Sequence, residues 1–242
     1  MKVLILAGGT GTRLTPHTAT MPKPLVPVGD LPILEIIIRQ LKHFGFETIT
    51  LAVGHLASQL EAYFGRGEKW GVEISYSYEA TPLGTAGPLA LVDDLSDPFL
   101  VMNGDILTAL DYRHLVEWHR QADSVATIAC CRKEVRINLG VLETNKEDRL
   151  LDYLEKPVFT YSVSMGAYVF SRRVLGYLQK GEHVDLPDLM KSLVRNEQAV
   201  ALYKFDGYWR DIGTMEDYEQ ANRELASVRD SLHLGTEVEN YP

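Results

Sequence analysis

Four stretches of this 242-residue chain set charged side chains beside backbone that can approach a ligand closely. The first reads Leu6-Ala7-Gly8-Gly9-Thr10-Gly11-Thr12-Arg13-Leu14. Glycines carry no Cβ, so successive N–H groups can converge on phosphate oxygens and form an anion-binding nest. Arg13 adds a planar fork of charged donors suited to phosphate. The second stretch, Met21-Pro22-Lys23-Pro24, holds Lys23 between two prolines that restrict the local backbone and aim the ammonium. Beside the nest, Lys23 reads as a second cation for a triphosphate, at its α-phosphate or at the leaving pyrophosphate. The third and fourth, Asn103-Gly104-Asp105 and Tyr208-Trp209-Arg210-Asp211, each end on a carboxylate.

Two familiar phosphate loops do not fit. A P-loop needs Gly-Lys followed by Ser or Thr, and no such tripeptide occurs in the chain. A dinucleotide fingerprint needs a third glycine where Leu14 stands, and Pro16 falls where its helix should run.

The elements that must position these residues show in the apolar pattern. Val3–Ala7 is a short continuous apolar run ending in glycines, as in a strand buried on both faces. Ile33–Phe44 has helical spacing and stops at Gly45. Thr48–Val53 predicts a strand, Leu56–Phe64 a helix, Val72–Tyr78 a strand, Ala86–Leu95 a helix and Phe99–Met102 a strand. This alternation predicts a Rossmann-like α/β fold, three layers deep, with a mostly parallel mixed sheet flanked by helices. The second half is less regular. It predicts helices over Tyr112–Gln121, Leu186–Val194 and Met215–Val228, with strands over Val125–Cys131, Leu139–Glu143, Leu150–Glu155, Ser162–Phe170 and Ala199–Phe205. In such sheets ligands bind beyond the carboxyl ends of the strands, where the glycine loop, Asp105 and Asp211 all fall.

Composition limits the alternatives. The net charge of −9 leaves no basic footprint for nucleic acid or an anionic membrane. No apolar run is long enough for a signal core or a membrane span, and the cysteines are the adjacent pair Cys130-Cys131. Neighbouring cysteines do not reach ordinary disulfide geometry, so they read as small hydrophobes in a buried strand of a cytoplasmic protein. Residues 1–242 read as one domain with no hexapeptide periodicity, hence no C-terminal β-helix. Of the seven histidines, no two stand in a His-x-x-x-His pair, and His114 and His119 are five apart.

The order of motifs resembles that of the sugar-1-phosphate nucleotidyltransferases. Gly8–Leu14 is similar to their Gly-Gly-x-Gly-x-Arg-Leu loop and Pro22-Lys23-Pro24 to their Pro-Lys-Pro. The likeness continues through Pro82-Leu83-Gly84-Thr85-Ala86-Gly87, Asn103-Gly104-Asp105, Glu155-Lys156-Pro157 and Trp209-Arg210-Asp211-Ile212-Gly213. It covers nearly the whole chain and is nearest to mannose-1-phosphate guanylyltransferases.

The resemblance implies condensation of a nucleoside triphosphate with a sugar 1-phosphate, giving a nucleotide-sugar and pyrophosphate by in-line attack at the α-phosphorus. It implies a nucleotide site of Leu6, Ala7, Gly8, Gly9, Thr10, Gly11, Thr12, Arg13 and Lys23, with Glu79, Pro82, Gly84, Thr85 and Asp105. Arg13 would hold the leaving phosphates and Lys23 the α-phosphate. Asp105 and Asp211 would share Mg²⁺, a hard cation suited to carboxylates and phosphate oxygens. Lys156 would take the phosphate of the sugar 1-phosphate, and Asn138, Gly140, Glu155 and Ser164 the sugar. Many relatives have Asn-Ala-Gly or Asn-Thr-Gly where this chain has Ser164-Met165-Gly166, which leaves the sugar open among mannose, a heptose, glucose and an amino sugar.

Glu79 favours GTP. A carboxylate only accepts, and guanine offers two adjacent donors, N1–H and the N2 amino group. Uracil and thymine offer one donor between carbonyls, which suits a glutamine better. Uridylyl or thymidylyl transfer is the alternative reading. A non-catalytic nucleotide-sugar-binding paralogue should have lost phosphate or metal residues, and Arg13, Lys23, Asp105, Lys156 and Asp211 are all present. A glycosyltransferase should show Asp-x-Asp, whereas position 103 is Asn. The expected partners are the two small substrates, with a homo-oligomer left open.

Overall fold

The computed structural model describes residues 1–234 except 17 and 19. Among the described residues thirteen strands and five α-helices follow in chain order. They are β1 (Lys2–Leu6), β2 (Pro27–Val28), β3 (Leu31–Pro32), α1 (Ile33–His43), β4 (Thr48–Val53), α2 (Ala57–Phe64), β5 (Glu73–Tyr78), β6 (Phe99–Asn103) and β7 (Ile106–Thr108). The second half contributes α3 (Tyr112–Gln121), β8 (Ala126–Arg136), β9 (Gly140–Thr144), β10 (Leu150–Glu155), β11 (Val158–Phe170), α4 (Leu186–Arg195), β12 (Val200–Lys204), β13 (Trp209–Asp211) and α5 (Met215–Val228).

Seven strands make one mixed sheet in the order β12-β8-β11-β6-β1-β4-β5. β1 is parallel to both β4 and β6, β5 is parallel to β4, and β12 to β8; β11 alone runs against its neighbours β6 and β8. The apolar run of β1 explains its central place. Side chains alternate across a strand, so Val3 and Ile5 enter the larger core with α1 and α5, and Leu4 enters the second core with α4. A strand buried on both faces has no use for polar alternation, hence the continuous run. The result is a three-layer α/β/α sandwich.

Three expectations need correction. Ala86–Leu95 is not an α-helix; the chain makes a single 3₁₀ run over Gly87–Leu91. Gly87 and Pro88, the two poorest helix formers, stand side by side here, and the N–H groups of Ala86 and Gly87 both donate to Val184 O, at 2.8 and 3.1 Å, which ties the run to the segment ahead of α4. β8 and β11 run further than their apolar stretches, pairing from Arg136–Val158 inward as a solvated ribbon. Main-chain pairing sustains that extension without apolar alternation. Asp211 does not follow a strand but closes β13, which pairs antiparallel with β7 as a two-stranded ribbon.

Cys130 and Cys131 are free thiols within β8, the first buried and the second half-buried. His119 is buried with Nδ1 2.8 Å from Thr127 Oγ1, and His114 Nδ1 lies 2.6 Å from Tyr203 Oη. No helix among the described residues is long and apolar enough to cross a membrane.

Phe170 and Phe99 pack ring to ring, 5.7 Å between centroids, where β11 meets β6 in the second core. Phe170→Ala should therefore cost about 3–5 kcal/mol in urea unfolding, through lost burial and the cavity left behind. A loss below about 1 kcal/mol would show that this packing does not hold the strands together.

Candidate functional site

The glycine loop leaves β1 at the carboxyl edge of the sheet, as expected. Gly11 has φ +61°, and a Cβ there would lie 3.0 Å from Lys23 Cβ, so the loop folds directly onto the Pro22–Pro24 segment. Pro22 stands extended ahead of a single 3₁₀ turn, Lys23–Leu25, and Lys23 is buried. A buried ammonium must find an acceptor, and Lys23 Nζ is hydrogen-bonded to Asp105 Oδ2. Gly104, between β6 and β7, donates its N–H to Leu6 O at 2.9 Å, which brings Asp105 to the glycine loop.

Asp105 is left half satisfied. Its Oδ1 is buried with no hydrogen-bond partner, an uncommon and costly state for a carboxylate oxygen. Asp211 is its neighbour: β13 pairs with β7 through Asp211 and Ile106, and Ile212 N–H donates to Asp105 O at 3.0 Å. Burial, and then the negative charge of Asp105, push the Asp211 carboxyl above its ordinary range, opposed by Lys23 and Arg13. Arg13 lies on the same side, since a Cβ on Gly213 would be 3.3 Å from Asp211 Oδ2 and 3.7 Å from an Arg13 terminal nitrogen. Arg210 does not neutralise Asp211, since neighbours in a strand point to opposite faces. It turns to α5 and makes a two-pronged pair with Glu224, at 2.9 and 2.8 Å, which fastens β13 to the helix.

The result is a cluster of two carboxylates and two cations at one edge of the sheet. Among the described residues no group of three or more His, Cys, Asp or Glu side chains could hold a metal ion. What a divalent cation would find is a pair, and the unpartnered Asp105 oxygen fits a hard cation.

Glu79 is brought to the other end of the loop. It follows β5, donates its N–H to Val53 O, and accepts from Leu83 N–H through Oε2 at 2.9 Å. Its Oε1 points over Gly8, only 2.6 Å from where a Cβ would stand. Any side chain at position 8 would displace it. Burial pushes the Glu79 carboxyl above the usual range. Gly84 and Thr85 complete this turn, with Gly84 at φ +75°.

The residues expected to hold a sugar fall in two groups. Ser164 sits at the irregularity of β11, with Oγ 2.9 Å from Tyr168 Oη. Gly166 follows at φ +75°, against the side chain of Asn103, and Met165 O accepts from Trp209 Nε1 at 2.9 Å. That bulge therefore adjoins Asp105 and Asp211. Gly140 and Glu155 are register partners in the β9–β10 hairpin, although 15 positions apart in sequence. Asn138 lies in the exposed bend before it, and Lys156 in the following turn at φ +46°, with Nζ 3.7 Å from Glu155. A cleft of about 420 Å³ opens beside Asp211 between Trp209, Phe205 and the strand residues Cys131–Lys133.

Fold and cluster together define a nucleotide-handling α/β protein. The chain belongs to the nucleotidyl transferase family, whose pattern matches residues 2–228. It is 35% identical to a UTP--glucose-1-phosphate uridylyltransferase of Synechocystis, over 94% of this chain and 64% of that protein. It is 32% identical to a mannose-1-phosphate guanylyltransferase of Mycobacterium tuberculosis, over 92% of this chain and 64% of that protein. It is 36% identical to the mannose-1-phosphate guanylyltransferase catalytic subunit beta of Xenopus tropicalis, over 97% and 69%. The chain thus spans somewhat under two thirds of the length of the first two relatives. Among solved structures, a Bacillus anthracis protein described as a glucose-1-phosphate thymidylyltransferase superposes with a TM-score of 0.75 at 25% identity, covering 96% of this chain and 99% of that one.

The Asp211 shift has a sign that stability measurements can read. A carboxyl whose folded-state pKa is raised favours folding below its unfolded value, near 3.8, and loses that contribution as pH climbs through the raised value. At neutral pH the charge is therefore a burden on the fold. Asp211→Asn should raise Tm at pH 7 in EDTA, with the gap to the parent closing as pH falls toward 4. An Asn variant less stable than the parent at pH 7 would show that Asp211 is held by favourable contacts instead.

Proposed function

We propose that this chain transfers a nucleotidyl group, with GTP as the favoured donor, to a mannose- or heptose-like sugar 1-phosphate and releases pyrophosphate. The observation that carries the reading is the Asp105–Lys23 pair with its unpartnered carboxylate oxygen, set beside Asp211 and Arg13. The attacking oxygen of a sugar 1-phosphate is already anionic, so the reaction asks for alignment and charge neutralisation more than for a base. Arg13 would take the leaving phosphates and Lys23 the α-phosphate. Asp105 and Asp211 would hold Mg²⁺, which when bound screens the phosphate charges and polarises the α-phosphorus. Lys156 would bring in the second anion, and Gly140, Glu155 and Ser164 would receive the sugar hydroxyls.

Glu79 supports the choice of GTP. With Oε2 occupied by Leu83 N–H, the carboxylate turns Oε1 toward the face of Gly8, where a base against Leu6–Gly8 would present N1–H and the N2 amino group. The guanylyltransferase relatives of M. tuberculosis and X. tropicalis agree with that preference. Uridylyl transfer is the second reading, favoured by the Synechocystis relative.

The test is a pyrophosphate-release assay pairing GTP, UTP, TTP, ATP and CTP with a panel of sugar 1-phosphates, in Mg²⁺ and in EDTA. Release in Mg²⁺ with GTP and mannose 1-phosphate or a heptose analogue is expected; no release from folded protein with any pair would refute the enzyme. Asp105→Asn should lower kcat about 100- to 1,000-fold with the circular dichroism spectrum intact, the scale typical of losing a charged group that acts on the transition state. Retained activity would remove Asp105 from the metal site. Glu79→Gln should move the GTP-to-UTP ratio of kcat/KM toward UTP by about tenfold or more, because a guanine donor then faces an amide. An unchanged ratio would take base selection away from Glu79.

A further inference from the structure

The turn Leu83-Gly84-Thr85 is tied to a segment a hundred residues away, just ahead of α4. Val184 N–H donates to Leu83 O at 2.9 Å, and Val184 O takes the N–H groups of Ala86 and Gly87. Asp185 is the N-cap residue of α4, a position where an aspartate ordinarily accepts from its own helix. Here it makes no such bond. Its Oδ1 instead accepts from Thr85 N–H at 3.0 Å and from Thr85 Oγ1 at 3.2 Å. Thr85 in turn supplies the cap that Asp185 withholds, since its Oγ1 accepts from Leu186 N–H at 2.7 Å. Gly84 closes the contact: a Cβ on it would stand 2.6 Å from Val184 O and 2.8 Å from Asp185 Oδ1.

We propose that Asp185 is a positioning residue for nucleotide selection, holding the Gly84–Thr85 turn in the conformation that presents Glu79 and the turn's backbone to the base. The proposal deepens the nucleobase reading above and rests on it. Two observations separate it from simple anchoring of the helix. The carboxylate gives up a favourable cap on α4 to serve the turn, and its partner Thr85 follows Gly84, whose left-handed backbone leaves no room for another side chain. Leu83 N–H, in the same turn, is the donor that occupies Glu79 Oε2. Asp185 thus reaches Glu79 through Thr85 N–H, the main chain from Thr85 back to Leu83, and Leu83 N–H.

The experiment compares Asp185→Ala and Asp185→Asn with the parent in steady-state assays using GTP and UTP. Asp185→Ala should raise KM for GTP about tenfold, leave kcat within about twofold and KM for the sugar 1-phosphate unchanged, and narrow the preference between the two triphosphates. This is the signature of lost ground-state binding at one substrate. Asp185→Asn keeps an oxygen acceptor in place and should restore most of the loss. An unchanged KM for GTP, an equal rise in KM for the sugar, or an Asn variant as impaired as the Ala variant would overturn the proposal. Should Asp185→Ala not fold, Asp185→Glu applies the same criteria, since it keeps the charge but carries the acceptor one methylene too far. Glu79→Ala in parallel keeps two failures apart. If it leaves KM for GTP and the GTP-to-UTP ratio untouched, Glu79 does not read the base, whereas the Asp185 result still reports on the turn.

Discussion

Two carboxylates held side by side at the edge of a sheet repel, and much of this structure answers that constraint. Asp105 and Asp211 come from segments about a hundred residues apart and meet because β7 and β13 pair as a small ribbon. Lys23 offsets part of the charge, and one Asp105 oxygen is still left buried without a partner. Burial first, and then the charge of Asp105, hold the Asp211 carboxyl above its ordinary range. Arg210 gives no relief, because strand alternation sends it to the other face of β13 and onto Glu224. Perturbed carboxylates of this kind cluster at functional sites, which is the physical basis for the proposal that this pair holds a metal.

The rest of the sheet can be seen as the support for that edge. β1, buried on both faces, carries the glycine loop out at its carboxyl end, and Gly104 hydrogen-bonds to Leu6 so that the β6–β7 corner meets the loop. The 3₁₀ turn at Lys23 packs under Gly11. At the far end of the loop Gly8 must lack a side chain because Glu79 occupies the space. The same four-residue neighbourhood thus limits both the phosphate end and the proposed base end of one ligand.

The positions expected to bind the sugar obey a different logic. Gly140 and Glu155 sit opposite each other in an exposed hairpin, and Lys156 turns out of it with a left-handed backbone. Ser164–Gly166 lies within the sheet, pressed on Asn103. A site assembled from one rigid group near the carboxylates and one solvated hairpin suits a reaction whose two substrates share phosphate chemistry but differ in their organic parts.

The amino-acid sequence by itself determined the alternation of the longer strands and helices from β1 to β5, the burial of β1 and the neighbourhood of the glycine loop, Lys23 and Asp105. These follow from local patterns: apolar periodicity, glycines without Cβ, prolines around a lysine. The resemblance to the nucleotidyltransferases, carried by motifs in the sequence, also marked Asp211, Glu79, Gly140 and Glu155 as groups expected to serve a nucleotide and a sugar. Tertiary structure alone decided what those groups face. Nothing local predicts that Arg210 pairs with Glu224, that Lys23 lies on Asp105, or that Gly140 opposes Glu155. The failed helix over Ala86–Leu95 has a local cause in the adjacent poor helix formers Gly87 and Pro88 and a distant companion in the tie of Ala86 and Gly87 N–H to Val184 O. Asp185 stands at the N-cap position of α4, and only the chain's return past Gly84 gives its carboxylate to Thr85. Periodicity registers how a segment meets the core, whereas the partner of a polar group is set by whichever distant segment the fold delivers.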